Sequence, residues 1–297
     1  MLTESERATI QEWNDFVAKI PPSLAELRNG LDSFLQRYNS DPPEIGAIHE
    51  NVELREGLKA DVLVPKGAGP HPVMIYVHGG AWIACSPRTH RKLAQQFAAA
   101  GYLTINLDYR LAPESPFPAG FEDCVFAAKW TAKNAARWNG DATRIAMGGD
   151  SAGGNLTAAA LAALSEDSEA PRFSAGVLIY GVFDFSALLE RSSNRAMTEG
   201  FARAYLGSQY PAALTDPRVS PLQAVKPGAL PPCFIICGTA DELVPESLTM
   251  AQALSNARIP YELHILPDMP HGFMQSNQLS GCEKGLRLMF EFLRPQV

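Results

Sequence analysis

Gly149-Asp150-Ser151-Ala152-Gly153 follows the apolar run Ile145-Ala146-Met147 and precedes the helix-forming run Leu156-Thr157-Ala158-Ala159-Ala160-Leu161. Strand, tight turn, helix is the setting in which a G-x-S-x-G segment lifts a serine to the carboxyl edge of a sheet. The turn is strained, so the flanking side chains must be small, and Gly149 and Gly153 meet that need. The segment therefore predicts an α/β fold with Ser151 as a candidate nucleophile.

The pattern continues outward in both directions. Apolar runs bounded by turn residues lie at 60–64, 73–77, 102–107, 144–147, 175–180, 233–237 and 261–266. They are short and mostly β-branched or aromatic, as suits strands buried on both faces. Helix-like stretches at 91–100, 121–138, 152–163, 247–256 and 283–293 separate them. Strand alternating with helix implies a mostly parallel central sheet flanked by helices.

Two intervals fall outside this alternation. Ile10, Trp13, Phe16, Val17 and Ile20 recur at near-helical spacing, Pro21-Pro22 interrupts, and Leu24, Leu27, Leu31 and Leu35 resume. Residues 186–228 are too long for an ordinary loop. The expected organisation is an N-terminal helical cap segment at 1–45 and a catalytic domain at 46–297, with 186–228 contributing to the cap.

A serine hydroxyl needs a base, and the base needs an orienting acid. Of six histidines, His271 stands apart. It lies in Pro267-Asp268-Met269-Pro270-His271-Gly272-Phe273, a loop after the last expected strand. His49, His71, His90 and His264 lie in or beside expected strands and helices and read as surface or structural residues. Asp241, directly after the run 233–237, is the candidate acid, and Glu242 is its competitor. The order Ser151, Asp241, His271 is the chain order of this fold. His78-Gly79-Gly80-Ala81-Trp82 follows the run 73–77. The N–H groups of Gly79 and Gly80, with that of Ala152, are candidates for binding an oxyanion. His78 reads as an anchor for that loop. Trp82 is a candidate for lining the substrate pocket, or for packing beneath the cap.

His78-Gly79-Gly80, Asp108-Tyr109-Arg110-Leu111-Ala112-Pro113-Glu114, Gly149-Asp150-Ser151-Ala152-Gly153-Gly154-Asn155 and Pro270-His271-Gly272-Phe273 together resemble the hormone-sensitive-lipase-like (bacterial family IV) esterases of the α/β-hydrolase superfamily. The similarity spans residues 60–295. It implies an α/β-hydrolase fold with a helical cap, and a carboxylesterase acting on short- to medium-chain acyl esters without a cofactor. It also implies a Ser151–Asp241–His271 triad and oxyanion donors at Gly79, Gly80 and Ala152. Two departures stand out: Ala81 replaces a third glycine, and Asp241-Glu242-Leu243-Val244-Pro245 lacks a second aspartate. Asp108, Arg110 and Glu114 read as a structural charge network. His78-Gly79-Gly80-Ala81-Trp82 is also similar to the H-G-G-x-W loop of kynurenine formamidases, so an amide hydrolase is the alternative reading. A non-catalytic ligand-binding protein, as in the related plant gibberellin receptors, would lack the base.

Composition narrows the partners. A net charge of −7 with scattered Lys and Arg leaves no basic stretch for nucleic acid. No run approaches the roughly 18 apolar residues of a membrane span. The polar N-terminus has no apolar run of the signal-peptide type. The five cysteines, Cys85, Cys124, Cys233, Cys237 and Cys282, are spread apart. They read as buried free thiols rather than metal ligands. The expectation is a cytoplasmic protein with no metal, acting on a small-molecule ester. The run 261–266 is expected to be a sheet edge open to a second copy, as in a homodimer.

Overall fold

The structure, a computed structural model, describes residues 2–19 and 23–296. Among the described residues, eight strands form one sheet. They are β1 (Ala47–Arg55), β2 (Leu58–Val64), β3 (His71–Val77), β4 (Leu103–Asp108), β5 (Gly140–Asp150), β6 (Phe173–Ile179), β7 (Cys233–Gly238) and β8 (Tyr261–Leu266). Their order is β1-β2-β4-β3-β5-β6-β7-β8. β2 runs antiparallel to β1 and β4, and every other pair is parallel. The helices are α1 (Glu4–Ala18), α2 (Leu24–Gln36), α3 (Arg91–Ala99), α4 (Ala119–Asn134), α5 (Ala152–Ser165), α6 (Phe185–Arg191), α7 (Arg195–Leu206), α8 (Val244–Asn256) and α9 (Ser280–Leu293).

Strand periodicity explains why the sheet needs two helical layers. Alternate residues of β3 face opposite ways. Val73, Ile75 and Val77 join a core with Phe121 and Cys124 of α4, Leu156 of α5 and Met250 of α8. Met74 and Tyr76 join a second core with Leu93 and Phe97 of α3 and Met289 and Phe292 of α9. All five strand residues are fully buried. Each such side chain contributes about 1.5–3 kcal/mol of burial. The seven apolar runs of the sequence correspond to β2–β8. β1 escapes a hydrophobic reading because its residues are largely exposed or half-buried, and Leu54 is the single buried one. An edge strand carrying His49, Glu50, Glu53 and Arg55 looks like a polar loop. At the opposite edge lies β8, as expected.

Both intervals outside the alternation are helical. Thr3 and Glu6 form a capping box at the start of α1. Glu6 also accepts the Ser280 N–H at 2.9 Å, which fastens α1 to the start of α9. Arg28 of α2 donates to Ile83 O at 2.7 Å and to Glu114 Oε2 at 2.7 Å. Ile20 and the Pro21-Pro22 break lie outside the described residues. The 186–228 interval contains most of α6, all of α7 and short 3-10 turns at Gly207–Gln209, Ala212–Thr215 and Pro221–Ala224.

Candidate active site

Ser151 sits between β5 and α5 with φ 53° and ψ −118°. A non-glycine residue in this region stores strain of about 1–3 kcal/mol and is found where surrounding packing enforces it. Here the enforcement comes from close backbone contacts. A Cβ at Gly153 would stand 2.0 Å from Val77 O, and one at Gly149 would stand 2.4 Å from the same atom. Only glycine allows β3, β5 and α5 to converge so tightly. Ser151 N–H donates to Ile179 O at 2.9 Å, which fixes the turn to β6.

The three predicted residues meet at the carboxyl edge of the sheet. His271 Nε2 lies 2.9 Å from Ser151 Oγ, and His271 Nδ1 lies 2.7 Å from Asp241 Oδ2. Asp241 is buried in the turn after β7, where its Oδ1 accepts the Leu243 N–H at 2.9 Å. A carboxylate on Nδ1 fixes the tautomer that leaves Nε2 free to accept the serine proton. Burial pulls the His271 imidazolium down, but the charge and hydrogen bond of Asp241, with the charge of Asp150, outweigh it. The net effect is a pKa above the ordinary value. The competing acid, Glu242, is exposed and accepts the hydroxyl of Ser193. Two neighbours escaped the sequence reading. The Tyr180 ring packs 4.8 Å from the imidazole, and the Cys237 thiol lies 3.5 Å from Asp241 Oδ2. Buried apolar runs hide such contacts, because Tyr180 and Cys237 simply end strand-like segments.

The oxyanion loop requires one correction. Gly79 N–H donates to the buried Asp150 Oδ1 at 3.0 Å, so it is already engaged. Gly79 is buried, whereas Gly80 and Ala81 are partly open to solvent, as are Ser151 and His271. Gly80 turns with φ 120° and Ala81 with φ 52°. Among the described residues no acceptor takes the Gly80 or Ala81 N–H. Ala152 opens α5, where a first-turn N–H has no intrahelical acceptor. The donors available to an anion are thus Gly80, Ala81 and Ala152, and Gly79 is replaced by Ala81. His78 anchors the loop as expected: Nδ1 contacts Gly79 O at 2.7 Å and the ring stacks on Tyr109 at 4.4 Å. Burial, then the neighbouring His90, lowers its pKa to about 3.

Of the two roles open to Trp82, the structure shows packing rather than pocket lining. It is 4% exposed, stacks on Tyr205 of α7 at 4.6 Å, and donates Nε1–H to Asn155 Oδ1 at 3.2 Å. Asn155 in turn donates to Val182 O at 2.8 Å and Val219 O at 2.7 Å. Trp82 is therefore packed beneath α7. Trp13 of α1 instead lies against the loop that carries His271: a Cβ at Gly272 would stand 3.2 Å from its ring.

The charge network is real but differently membered. Arg110 and Arg55 both pair with the fully buried Asp123. Glu114 pairs with Arg28, which ties α2 to this region. Asp108 pairs with neither; burial, then the nearby Asp61, raises its pKa. All five cysteines are buried free thiols.

A family model described as the alpha/beta hydrolase fold matches residues 74–275. A Mycobacterium tuberculosis protein named carboxylesterase NlhH is 34% identical over 214 residues, 68% of this chain and 66% of that relative. The chain thus spans just under two thirds of the length of that relative. An ethyl acetate hydrolase of Pseudomonas putida is 30% identical over 75% of this chain and 73% of its own length. Among solved structures, an esterase from the bacterial hormone-sensitive lipase family superposes with a TM-score of 0.84 at 31% identity. That match covers 100% of this chain and 99% of the other.

Proposed function

The chain belongs to the α/β-hydrolase fold family, in its hormone-sensitive-lipase-like branch, and we propose that it is a carboxylesterase with Ser151 as nucleophile, His271 as base and Asp241 as orienting acid. The observation that carries this reading is the unbroken chain of contacts Ser151 Oγ, His271 Nε2, His271 Nδ1, Asp241 Oδ2 at 2.9 and 2.7 Å.

Ser151 Oγ attacks the ester carbonyl carbon as its proton passes to His271 Nε2. The carbonyl oxygen becomes an anion and accepts from the N–H groups of Gly80, Ala81 and Ala152. The C–O bond to the alcohol breaks, and His271 returns the proton to the leaving oxygen. Water then attacks the acyl-enzyme, passing a proton to His271. Collapse of the second intermediate frees the acid, and the proton returns to Ser151 Oγ. No redox or metal step is needed.

Short- to medium-chain acyl esters are the proposed substrates. The relative named ethyl acetate hydrolase supports the short end of that range. Residues 1–45 and 186–228 are proposed to form a cap over the opening. Trp13 beside Gly272 supports the first segment, and Ser193 bonded to Glu242 supports the second. Turnover of p-nitrophenyl esters of increasing acyl length tests the assignment. Ester hydrolysis falling off beyond medium chains is expected. Faster cleavage of N-formylkynurenine than of any ester would move the protein to the amide hydrolases.

A further inference from the structure

We propose that Asp150 is a positioning residue that ties the oxyanion loop and the base loop to one buried point beneath Ser151, an inference that rests on the esterase reading above.

The two loops come from distant parts of the chain, after β3 and after β8. Asp150, the last residue of β5, is 4% exposed and touches elements serving both. Its Oδ1 accepts the Gly79 N–H at 3.0 Å and the Tyr76 hydroxyl at 2.5 Å. Its Oδ2 faces His90 Nε2 at 3.3 Å. Tyr76 in turn accepts from Gln275 Nε2 at 3.3 Å. Gln275 lies in the 3-10 turn Phe273–Gln275, immediately after His271 and Gly272. A buried path therefore runs from the oxyanion loop, through Asp150 and Tyr76, to the loop that carries the base.

The carboxylate also fixes what Gly79 can be. A Cβ there would stand 2.7 Å from Asp150 Oδ2, so the acid occupies the space a side chain would take. A residue that merely filled this volume would be apolar, since burying a carboxylate is costly unless its partners satisfy it. Here the Gly79 N–H and the Tyr76 hydroxyl donate to one oxygen, and the His90 ring lies against the other. Gly79, held by its N–H, directly precedes Gly80 and Ala81, which are partly open to solvent and whose N–H groups have no acceptor among the described residues. A displacement of about 1 Å in such donors costs about 10²-fold in rate, and loss of one oxyanion donor costs about 10²–10³-fold in kcat.

The test compares wild type, Asp150→Ala, Asp150→Asn and Tyr76→Phe by steady-state kinetics on p-nitrophenyl acetate. Asp150→Ala is expected to lower kcat by about 10²-fold or more with KM within about 3-fold. Asp150→Asn keeps an acceptor for Gly79 and is expected to recover part of that loss. Tyr76→Phe cuts the path but leaves the Gly79 bond, and is expected to lower kcat by about 3–10-fold at unchanged KM. It also keeps the test decisive if Asp150→Ala does not fold. An active wild type with Tyr76→Phe and Asp150→Asn both within about 2-fold of its kcat overturns the coupling alone. A wild type with no ester turnover overturns the proposed function and the coupling with it.

Discussion

His271 Nε2 stands 2.9 Å from Ser151 Oγ across 120 residues of sequence. Two separate strand ends supply the partners, one at β5 and one beyond β8. Parallel strands end at one edge, so residues far apart in the chain converge where chemistry can occur.

The environment of His271 sets a pH dependence. With His271 as the proposed base, the neutral imidazole is the active form, and its raised pKa places deprotonation above the unperturbed value of about 6.5. The acid limb of kcat/KM should therefore have its midpoint above about 6.5, with activity rising as pH rises. Asp241→Asn removes the charge that favours the imidazolium. It should move that midpoint down and lower kcat by about 10²–10⁴-fold. A profile measured from about pH 5 to 9 checks both shifts, and a flat wild-type profile would exclude His271 as the base.

Trp82 gives a stability prediction rather than a specificity one. Trp82→Ala leaves a cavity against Tyr205 and an unpaired Asn155 Oδ1. It should cost about 3–5 kcal/mol in urea unfolding. Trp82→Phe keeps an aromatic ring but not the N–H, and should cost about 1–3 kcal/mol. A change in acyl-chain preference at unchanged stability would return Trp82 to the pocket.

Gly153→Ala should be poorly tolerated. The added methyl would meet Val77 O at 2.0 Å and His78 O at 2.6 Å, backbone atoms that leave little room to yield. Destabilisation of about 1–3 kcal/mol or more is expected, with kcat reduced because β3 leads directly into the oxyanion loop. Wild-type stability and turnover in this variant would mean the turn is looser than the contacts indicate.

These cases also mark what the sequence reveals. Glycines at 149 and 153, and the order Ser151, Asp241, His271, announce themselves because tight turns and strand ends leave local signatures. β1 leaves none, since charged residues on an exposed edge carry no hydrophobic pattern. That Gly79 is not among the free donors depends on its hydrogen bond to Asp150, a contact between segments 71 residues apart in the chain. The sequence leaves Trp82 open between pocket and packing, and places Asp108 in a charge network it does not join, for a related reason. A residue type states what a side chain can do, whereas its partner depends on tertiary packing between segments remote in the chain.

The most direct test of Ser151 as the nucleophile is intact-mass measurement after brief exposure to a fluorophosphonate. Wild type should gain one phosphonyl group, Ser151→Ala none, and His271→Ala should label far more slowly. Equal labelling of Ser151→Ala, or none in the wild type, would contradict the assignment.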